Sequence, residues 1–301
     1  MVNLEDYRSD VENQWCPGCP NFGILTALKK ALVALDKKPE ELCLVSGIGQ
    51  AAKLPHYLRC NFFNGLHGRA LPIATAINVV NPKLTTIVVT GDGDCYGEGG
   101  NHFLHTFRRN PNITLIVHNN QIYGLTKGQA SPTTETGDKT RLQFEGVKID
   151  PMQPLALAIL HGCPFVARGY AGDIKHLTNL FIEALLFNGF SYVDVIQPCI
   201  SWGTHPTSWY KERIYHLPPD YNPHQKDAAL EKAAEWGDRI PIGIVYRAEK
   251  PQRLFGDYFR ENISAGSLTE LDFPAQQTIA EMIEQFGTHN MRQKRRYHER
   301  V

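Results

Sequence analysis

The sequence predicts an α/β fold with a mostly parallel sheet and helices on both faces. Two observations carry this prediction. Through the first two thirds of the chain, apolar and β-branched segments of strand length alternate with segments whose apolar residues recur at helical spacing. The 301 residues are enough to bury a large core, and 42% hydrophobic with 21% charged residues exclude a disordered or fibrous chain.

The predicted elements begin with a helix over 21–36, where Ile24, Leu28 and Leu32 recur at helical spacing. A short strand follows at 42–45. The further elements, in chain order, are a helix at 70–80, a strand at 84–90, a helix at 99–109, a strand at 113–117, a helix at 154–161, a strand at 165–168, a helix at 174–187 and a strand at 192–197. This alternation is typical of a parallel sheet.

The last hundred residues have a different composition. Residues 201–223 are rich in aromatic residues and prolines, which predicts an extended arm with little sheet of its own. A helix at 225–236 and a strand at 242–246 follow, and the basic tail after Met291 is interpreted as a solvated end. We therefore expect a domain over 1–200 and a C-terminal extension over 201–301 that contacts another subunit.

The charge balance and the lack of apolar runs exclude several classes of partner. Thirty-one basic and 31 acidic residues leave no net charge, so neither nucleic acid nor an anionic membrane surface is expected as a ligand. No run of 18 apolar residues is present, and the acidic N-terminus lacks the apolar core of a signal peptide. These features predict a cytoplasmic protein. In that reducing compartment, Cys16 and Cys19, separated by Pro-Gly, suggest a metal, a cluster or a redox pair.

A Gly-Asp-Gly turn at Gly91–Gly93 ends one predicted strand, and Asn119 and Asn120 end the next. Ligands of open parallel sheets bind at the carboxyl ends of the strands, where glycine lets the main chain approach a phosphate closely. Because neighbouring parallel strands end at the same rim, Asp92 and Asn120 are expected to converge on one divalent cation, Mg²⁺ by its preference for oxygen ligands.

This spacing resembles the thiamine diphosphate motif, in which Mg²⁺ is held by residues corresponding to Asp92, Asn120 and the carbonyl of Ile122. Further motifs occur in order along the chain, namely Trp-Cys-Pro-Gly-Cys at 15–19, Ser-Gly-Ile-Gly at 46–49, Leu-His-Gly-Arg-Ala at 66–70, Tyr-Gly-Leu-Thr-Lys-Gly-Gln at 123–129 and Gln-Pro-Cys at 197–199. Together they resemble the β subunit of the 2-oxoacid:ferredoxin oxidoreductases over most of residues 12–246.

The resemblance implies a thiamine diphosphate-binding fold of the diphosphate type, acting with an α subunit that supplies the pyrimidine side, as (αβ)₂. The implied reaction is the oxidative decarboxylation of 2-oxoglutarate, or else pyruvate, to an acyl-coenzyme A, with electrons passed through one [4Fe–4S] cluster to ferredoxin. It also implies catalytic roles for Lys53, His67 and Lys127. The implied cofactor-binding residues are Ile48, Gly49, Gln50, Ala51, His67, Gly91, Gly93, Asp94, Gly124, Leu125 and Thr126.

The match departs from the family at the cluster. Cys16, Cys19 and Cys199 are present, but Gln50 occupies the position of the usual fourth cysteine. Three alternatives stay open: Cys60 is the substitute ligand, Gln50 or water ligates the fourth iron, or no cluster is bound. The last alternative keeps two rival functions, a thiamine-dependent decarboxylase or carboligase half-subunit without electron transfer, and a non-catalytic chain that only assembles with α.

Overall fold

A computed structural model describes residues 1–250, 252–261, 267–270, 281 and 284. The strands in this part of the chain are β1 (Leu42–Ser46), β2 (Asn61–Asn64), β3 (Thr85–Gly91), β4 (Ile113–Asn119), β5 (Ile122–Tyr123), β6 (Gln129–Ala130), β7 (Phe165–Tyr170), β8 (Ser191–Ile196), β9 (Ile214–His216) and β10 (Ile240–Arg247). All of them except β5 and β6, which form a small hairpin, build one eight-stranded sheet in the order β2-β1-β3-β4-β8-β7-β10-β9.

The helices are α1 (Asn21–Ala34), α2 (Ala70–Val80), α3 (Gly100–Arg109), α4 (Pro154–Leu160), α5 (Ile174–Leu186), α6 (Thr207–Arg213), α7 (Lys226–Ala234) and α8 (Asp257–Arg260). Short helical turns cover Leu4–Tyr7, Pro39–Glu41, Ala51–Tyr57 and Leu268–Glu270, and a π-helical turn covers Gly93–Glu98. Within the described residues, no helix is long and apolar enough to cross a bilayer.

The main sheet is parallel except where β10 runs antiparallel to β7. Alternate side chains of its strands enter two separate cores, as the two-residue period of a strand requires. On one face Leu44 packs with α1 and α5, and on the other Val45 packs with α2, α3, α4 and α7. The predicted α/β fold with helices on both faces is therefore confirmed.

The expectation for residues 201–223 is wrong in one respect. Instead of running extended throughout, this segment forms the helix α6, whereas its small share of sheet is as expected: the three-residue β9, which pairs with β10 in the main sheet. The aromatic residues that suggest an arm contribute to a third small core, where Tyr210 packs with Ile240 and Ile242. The division into a domain over 1–200 and an extension over 201–301 stays a prediction, and the basic tail lies outside the described residues.

Candidate active site

The carboxyl ends of β3 and β4 bring the two polar motifs together. The two strands are parallel neighbours, and Gly91 is the register partner of His118. Asp92 follows Gly91 directly, and Asn120 follows His118 by two residues, so both leave the sheet at the same rim. This is the position at which open α/β sheets bind ligands.

A cleft of about 550 Å³, open to solvent, lies at this rim. Its lining includes the three predicted Mg²⁺ ligands Asp92, Asn120 and Ile122. It also includes the predicted cofactor-binding residues Ile48, Gly49, Gln50, Ala51, His67, Gly91, Gly93, Asp94, Gly124, Leu125 and Thr126. Loops that follow β1, β3 and β4 along the chain therefore meet around one cavity, and the roles of the individual residues stay predictions.

Asp94 joins the loops of this cleft. Its buried Oδ1 accepts hydrogen bonds from the backbone N–H groups of Ile48 (3.1 Å) and Gly68 (2.7 Å), and lies 2.6 Å from Nδ1 of His67. Its Oδ2 accepts from the hydroxyl of Thr90 at 2.5 Å. The carboxylate therefore fixes the loop after β1 and the start of α2 to the end of β3, and it orients the imidazole of His67 at the cleft.

Asp92 is buried, and its Oδ2 accepts hydrogen bonds from the hydroxyls of Ser131 (2.5 Å) and Thr133 (2.7 Å). Burial raises the pKa of Asp92 to about 6. A divalent cation beside this carboxylate would favour its charged form and oppose that shift. The oxygen atoms offered by Asp92, Asn120 and Ile122 are the ligand type that Mg²⁺ prefers, so the donor set fits the ion.

A buried polar network behind the rim was not predicted from the sequence. Asn119 Nδ2 lies 3.2 Å from Oδ2 of Asp194, whose Oδ1 accepts from the hydroxyl of Tyr96 at 2.6 Å. Burial raises the pKa of Asp194, and the buried guanidinium of Arg168 opposes that shift. The network holds Asn119, and with it the turn that presents Asn120. Its members are far apart in sequence, so no local motif identifies them.

His118 is a second residue without a predicted role. It lines the cleft with 1% of its surface exposed, and its Nδ1 lies 2.8 Å from Oδ1 of Asn21. Burial lowers the pKa of His118 to about 3, so the imidazole is neutral near pH 7. Its Nε2 is buried and has no hydrogen-bond partner among the described residues. The imidazole therefore offers a buried polar nitrogen at the floor of the site.

A second cleft, of about 450 Å³, adjoins the first and contains the predicted cluster ligands. Cys16, Cys19 and Cys199 all line it, together with Gln50. Ser201 donates from its hydroxyl to Cys16 Sγ at 3.2 Å, and Gln197 Nε2 lies 3.7 Å from Cys19 Sγ. Hydrogen bonds to sulfur of this kind tune the potential of thiolate-held clusters.

Gln50, which lines both clefts, has a buried side-chain oxygen without a hydrogen-bond donor among the described residues. Its backbone carbonyl accepts from the indole of Trp15 at 2.8 Å, which fixes the main chain. Its side-chain Oε1 is buried and accepts no hydrogen bond from the part of the chain described here. Three cysteines and Gln50 therefore line one cavity, and this donor set fits a cluster with one non-cysteine ligand.

The structure separates the two predicted candidates for the fourth ligand. Gln50 lines the cleft of the three cysteines, whereas Cys60 is absent from its described lining and packs against the core that contains α1. Burial, with Cys43 nearby, raises the pKa of the Cys60 thiol to about 12. Because burial also raises the pKa of the predicted ligand Cys19, to about 11, it is the position of the partly buried Cys60 outside the cleft that separates the two candidates.

The two predicted catalytic lysines lie around the site and not in it. Lys53 is half-buried in the Ala51–Tyr57 turn, and Lys127 is exposed between β5 and β6 with a positive φ of 74°. Neither belongs to the described lining of the two clefts. Of the three predicted catalytic residues, the structure places only His67 in the cleft wall.

Two protein-family models match the chain. The model for the thiamine pyrophosphate enzyme C-terminal TPP-binding domain matches residues 46–195. The model for the C-terminal part of the pyruvate ferredoxin oxidoreductase beta subunit matches residues 199–263. The first model covers the whole lining of the first cleft, but of the second cleft only Gln50, Asn120 and Gly124.

Comparison with known proteins gives relatives over most of the chain. It is 45% identical to the 2-oxoacid:ferredoxin oxidoreductase subunit beta of a Sulfolobus species, over 89% of this chain and 91% of that protein. It is 34% identical to the 2-oxoglutarate synthase subunit KorB of Methanocaldococcus jannaschii, over 79% and 88% of the two chains.

One solved structure is also similar along nearly the whole length. It is that of a 2-oxoglutarate:ferredoxin oxidoreductase from Magnetococcus marinus with 2-oxoglutarate, coenzyme A and succinyl-CoA bound. The TM-score is 0.84 at 31% identity, and the match covers 93% of this chain and 95% of that one. The relatives over most of its length show that the chain belongs to the family of 2-oxoacid:ferredoxin oxidoreductase beta subunits.

Proposed function

We propose that this chain provides the diphosphate side of a thiamine diphosphate site and the iron–sulfur cluster of a 2-oxoacid:ferredoxin oxidoreductase. The observation that carries the proposal is the adjacency of the two clefts. Gln50, Asn120 and Gly124 line both, and a Cβ built on Gly124 would lie 4.0 Å from Cys199 Sγ and 3.7 Å from Asn120 Nδ2. An electron acceptor in the cysteine cleft would therefore border the cofactor.

In this proposal each loop has one task at the cofactor. Asp92, Asn120 and the carbonyl of Ile122 hold Mg²⁺, which neutralises the diphosphate, while Gly91 and Gly93 let the main chain approach it. His67, whose Nδ1 is bonded to Asp94 and whose Nε2 lies 3.6 Å from Glu98 Oε2, would contact the diphosphate through Nε2, and donation from both nitrogens requires the imidazolium form. Thiamine diphosphate, when bound, supplies a nucleophilic carbon and an electron sink for decarboxylation.

The cluster would be a [4Fe–4S] cluster held by Cys16, Cys19 and Cys199, with the amide oxygen of Gln50 at the fourth iron. The unpartnered Oε1 supports Gln50 over Cys60, which packs elsewhere. A hard amide oxygen binds iron more weakly than a thiolate does. We therefore expect a cluster in which one iron is labile. The reduced cluster would pass its electrons to ferredoxin.

The substrate proposal is 2-oxoglutarate, with pyruvate second and coenzyme A as acyl acceptor. Its support is that several relatives are named for 2-oxoglutarate and that the similar solved structure contains 2-oxoglutarate and coenzyme A. Lys53 and Lys127 would attract the anionic substrate or the phosphates of coenzyme A from the rim of the site. The proposal includes a cytoplasmic (αβ)₂ assembly in which residues 201–301 contact another subunit.

Iron and acid-labile sulfide analysis of the αβ complex, purified without air, tests the proposal. We expect a cluster in the wild type, and a Gln50→Cys variant with more iron per chain, greater stability to air and a sharper reduced-cluster resonance. Cys60→Ser is the matched control and should leave iron and spectrum unchanged. Loss of the cluster in Cys60→Ser would make Cys60 the ligand instead.

Iron near zero in both the wild type and Gln50→Cys would overturn the redox function. Turnover of a 2-oxoacid by such an iron-free complex would then identify a decarboxylase or carboligase without electron transfer. A complex that assembles and neither binds thiamine diphosphate nor turns over would be the non-catalytic alternative.

A further inference from the structure

The start of α5 and the edge strand β9 carry a cluster of metal-ligating side chains outside both clefts. Asp173 is the N-cap of α5, His176 lies in its first turn, and His216 ends β9. One ligand atom from each of the three side chains lies within 4.8 Å of the other two. Among the described residues, this is the one group of three histidine, cysteine or acidic side chains whose ligand atoms all lie within that distance of one another.

The hydrogen bonding of this cluster is incomplete at His176. Asp173 Oδ1 caps the helix by accepting from the N–H of His176 at 3.1 Å, which leaves Oδ2 facing His216 Nε2 at 3.2 Å. His176 Nδ1 is buried, and no described residue bonds to it. The two imidazole rings meet edge to face with their centroids 4.5 Å apart. The cluster is therefore converging but incompletely satisfied.

A neutral imidazole carries one N–H group, so the 3.2 Å between Asp173 Oδ2 and His216 Nε2 is spanned either by a hydrogen bond from Nε2 or by a metal ion bound to both atoms. In a tetrahedral zinc site with bonds of about 2.0–2.1 Å, two ligand atoms are about 3.3 Å apart, which matches the observed distance.

We propose that Asp173, His176 and His216 form a binding site for a divalent transition metal, zinc by its donor set, that fastens β9 to α5. Two imidazole nitrogens and one carboxylate oxygen are the ligand types that zinc takes from proteins. Water would complete the coordination, because the His216 side chain is 58% exposed. The metal would link β9 to the start of α5, two elements that are about 40 residues apart in the sequence.

Crystals of the αβ complex grown with zinc chloride, with diffraction data collected on both sides of the zinc absorption edge, test this directly. We expect an anomalous peak between the three side chains, which also separates this site from any zinc at the cysteines. The peak should disappear in His216→Ala and persist in His161→Ala, the same substitution at an exposed histidine after α4.

In solution, His216→Ala should weaken zinc binding at this site at least about tenfold relative to His161→Ala, because even changes outside the ligand shell cost roughly 10- to 100-fold. Zinc should also raise the unfolding temperature of the complex less in His216→Ala than in His161→Ala. Folding of the His216→Ala variant is expected, since the side chain is exposed. No peak at the three residues, or equal zinc binding in the two variants, would mean that a proton joins the pair and would overturn the proposal.

Discussion

Replacing Asp94 by asparagine and by alanine should give two clearly different results. The carboxylate accepts three N–H groups on Oδ1 and one hydroxyl on Oδ2. Asparagine keeps Oδ1 for the three donors, and the Thr90 hydroxyl can reverse and accept from the new amide. Alanine removes every acceptor and leaves the buried N–H of Gly68 without a partner.

The magnitudes follow from the number of bonds affected. Hydrogen bonds to a charged group contribute about 1.5–3 kcal/mol each, and neutral ones roughly half as much. Because the four bonds share one carboxylate, their contributions do not add, and we expect Asp94→Ala to destabilise the loops by about 3–5 kcal/mol. Asp94→Asn should cost about 1–2 kcal/mol. Thr90→Val, the control that removes only the hydroxyl, should cost about 1 kcal/mol.

Hydrogen exchange of the αβ complex, read by mass spectrometry over residues 47–50 and 66–70, measures the local opening free energy. These costs correspond to exchange roughly 200- to 5,000-fold faster in Asp94→Ala and roughly 5- to 30-fold faster in Asp94→Asn. Equal acceleration in both variants would refute the assignment of Asp94 as an acceptor that joins the loops. Thiamine diphosphate affinity should remain near wild type in Asp94→Asn, and a large loss with normal exchange would show direct contact with the cofactor.

Three further outcomes are expected. Asp92→Ala should abolish Mg²⁺-dependent thiamine diphosphate binding in calorimetry. Asn120→Ala should weaken that binding less, since an amide oxygen carries only a partial charge. Wild-type affinity in Asp92→Ala would reject the proposal that Asp92 is a metal ligand. Because the pKa of His118 is about 3 when folded and about 6.5 when unfolded, the unfolded chain binds the extra proton between these values. The free energy of unfolding should therefore fall by about 2 kcal/mol from pH 7 to pH 5, and His118→Asn should lack that part in urea titrations at the two pH values. The isolated chain should not turn over any 2-oxoacid in a CO₂-release assay, and steady turnover by pure chain would show that no partner chain is needed.

The sequence predicts those parts of the site that depend on regular structure. Gly-Asp-Gly at one strand end and Asn-Asn at the next identify a shared rim, because parallel neighbours must end together. The observed register of Gly91 with His118 confirms this part. The helix and strand bounds agree to within a few residues for the same reason, since periodicity is a local property of the chain.

The parts that the sequence does not reveal depend on contacts between distant residues. Asp94 is two residues from Asp92, yet its carboxylate accepts hydrogen bonds from the loops at Ile48 and Gly68, which only the packed structure shows. The sequence at 201–223 predicts an arm because its aromatic residues give no strand periodicity. Its β9 strand has three residues and exists because β10 offers a paired edge.

The buried amide of Gln50 is the feature that most strongly links the two clefts. An acceptor without a donor in a protein interior costs about 1–3 kcal/mol, and an apolar side chain of similar size would avoid that cost. Alanine follows at both Ala51 and Ala52, so small apolar residues are tolerated in this turn. If Gln50 had no ligand to bind, its buried Oε1 would lower the stability of the fold without any compensating interaction. The cost of Oε1 is offset when a cation or donor occupies one of the two clefts that Gln50 lines, and a cluster at Cys16, Cys19 and Cys199 would supply such a cation.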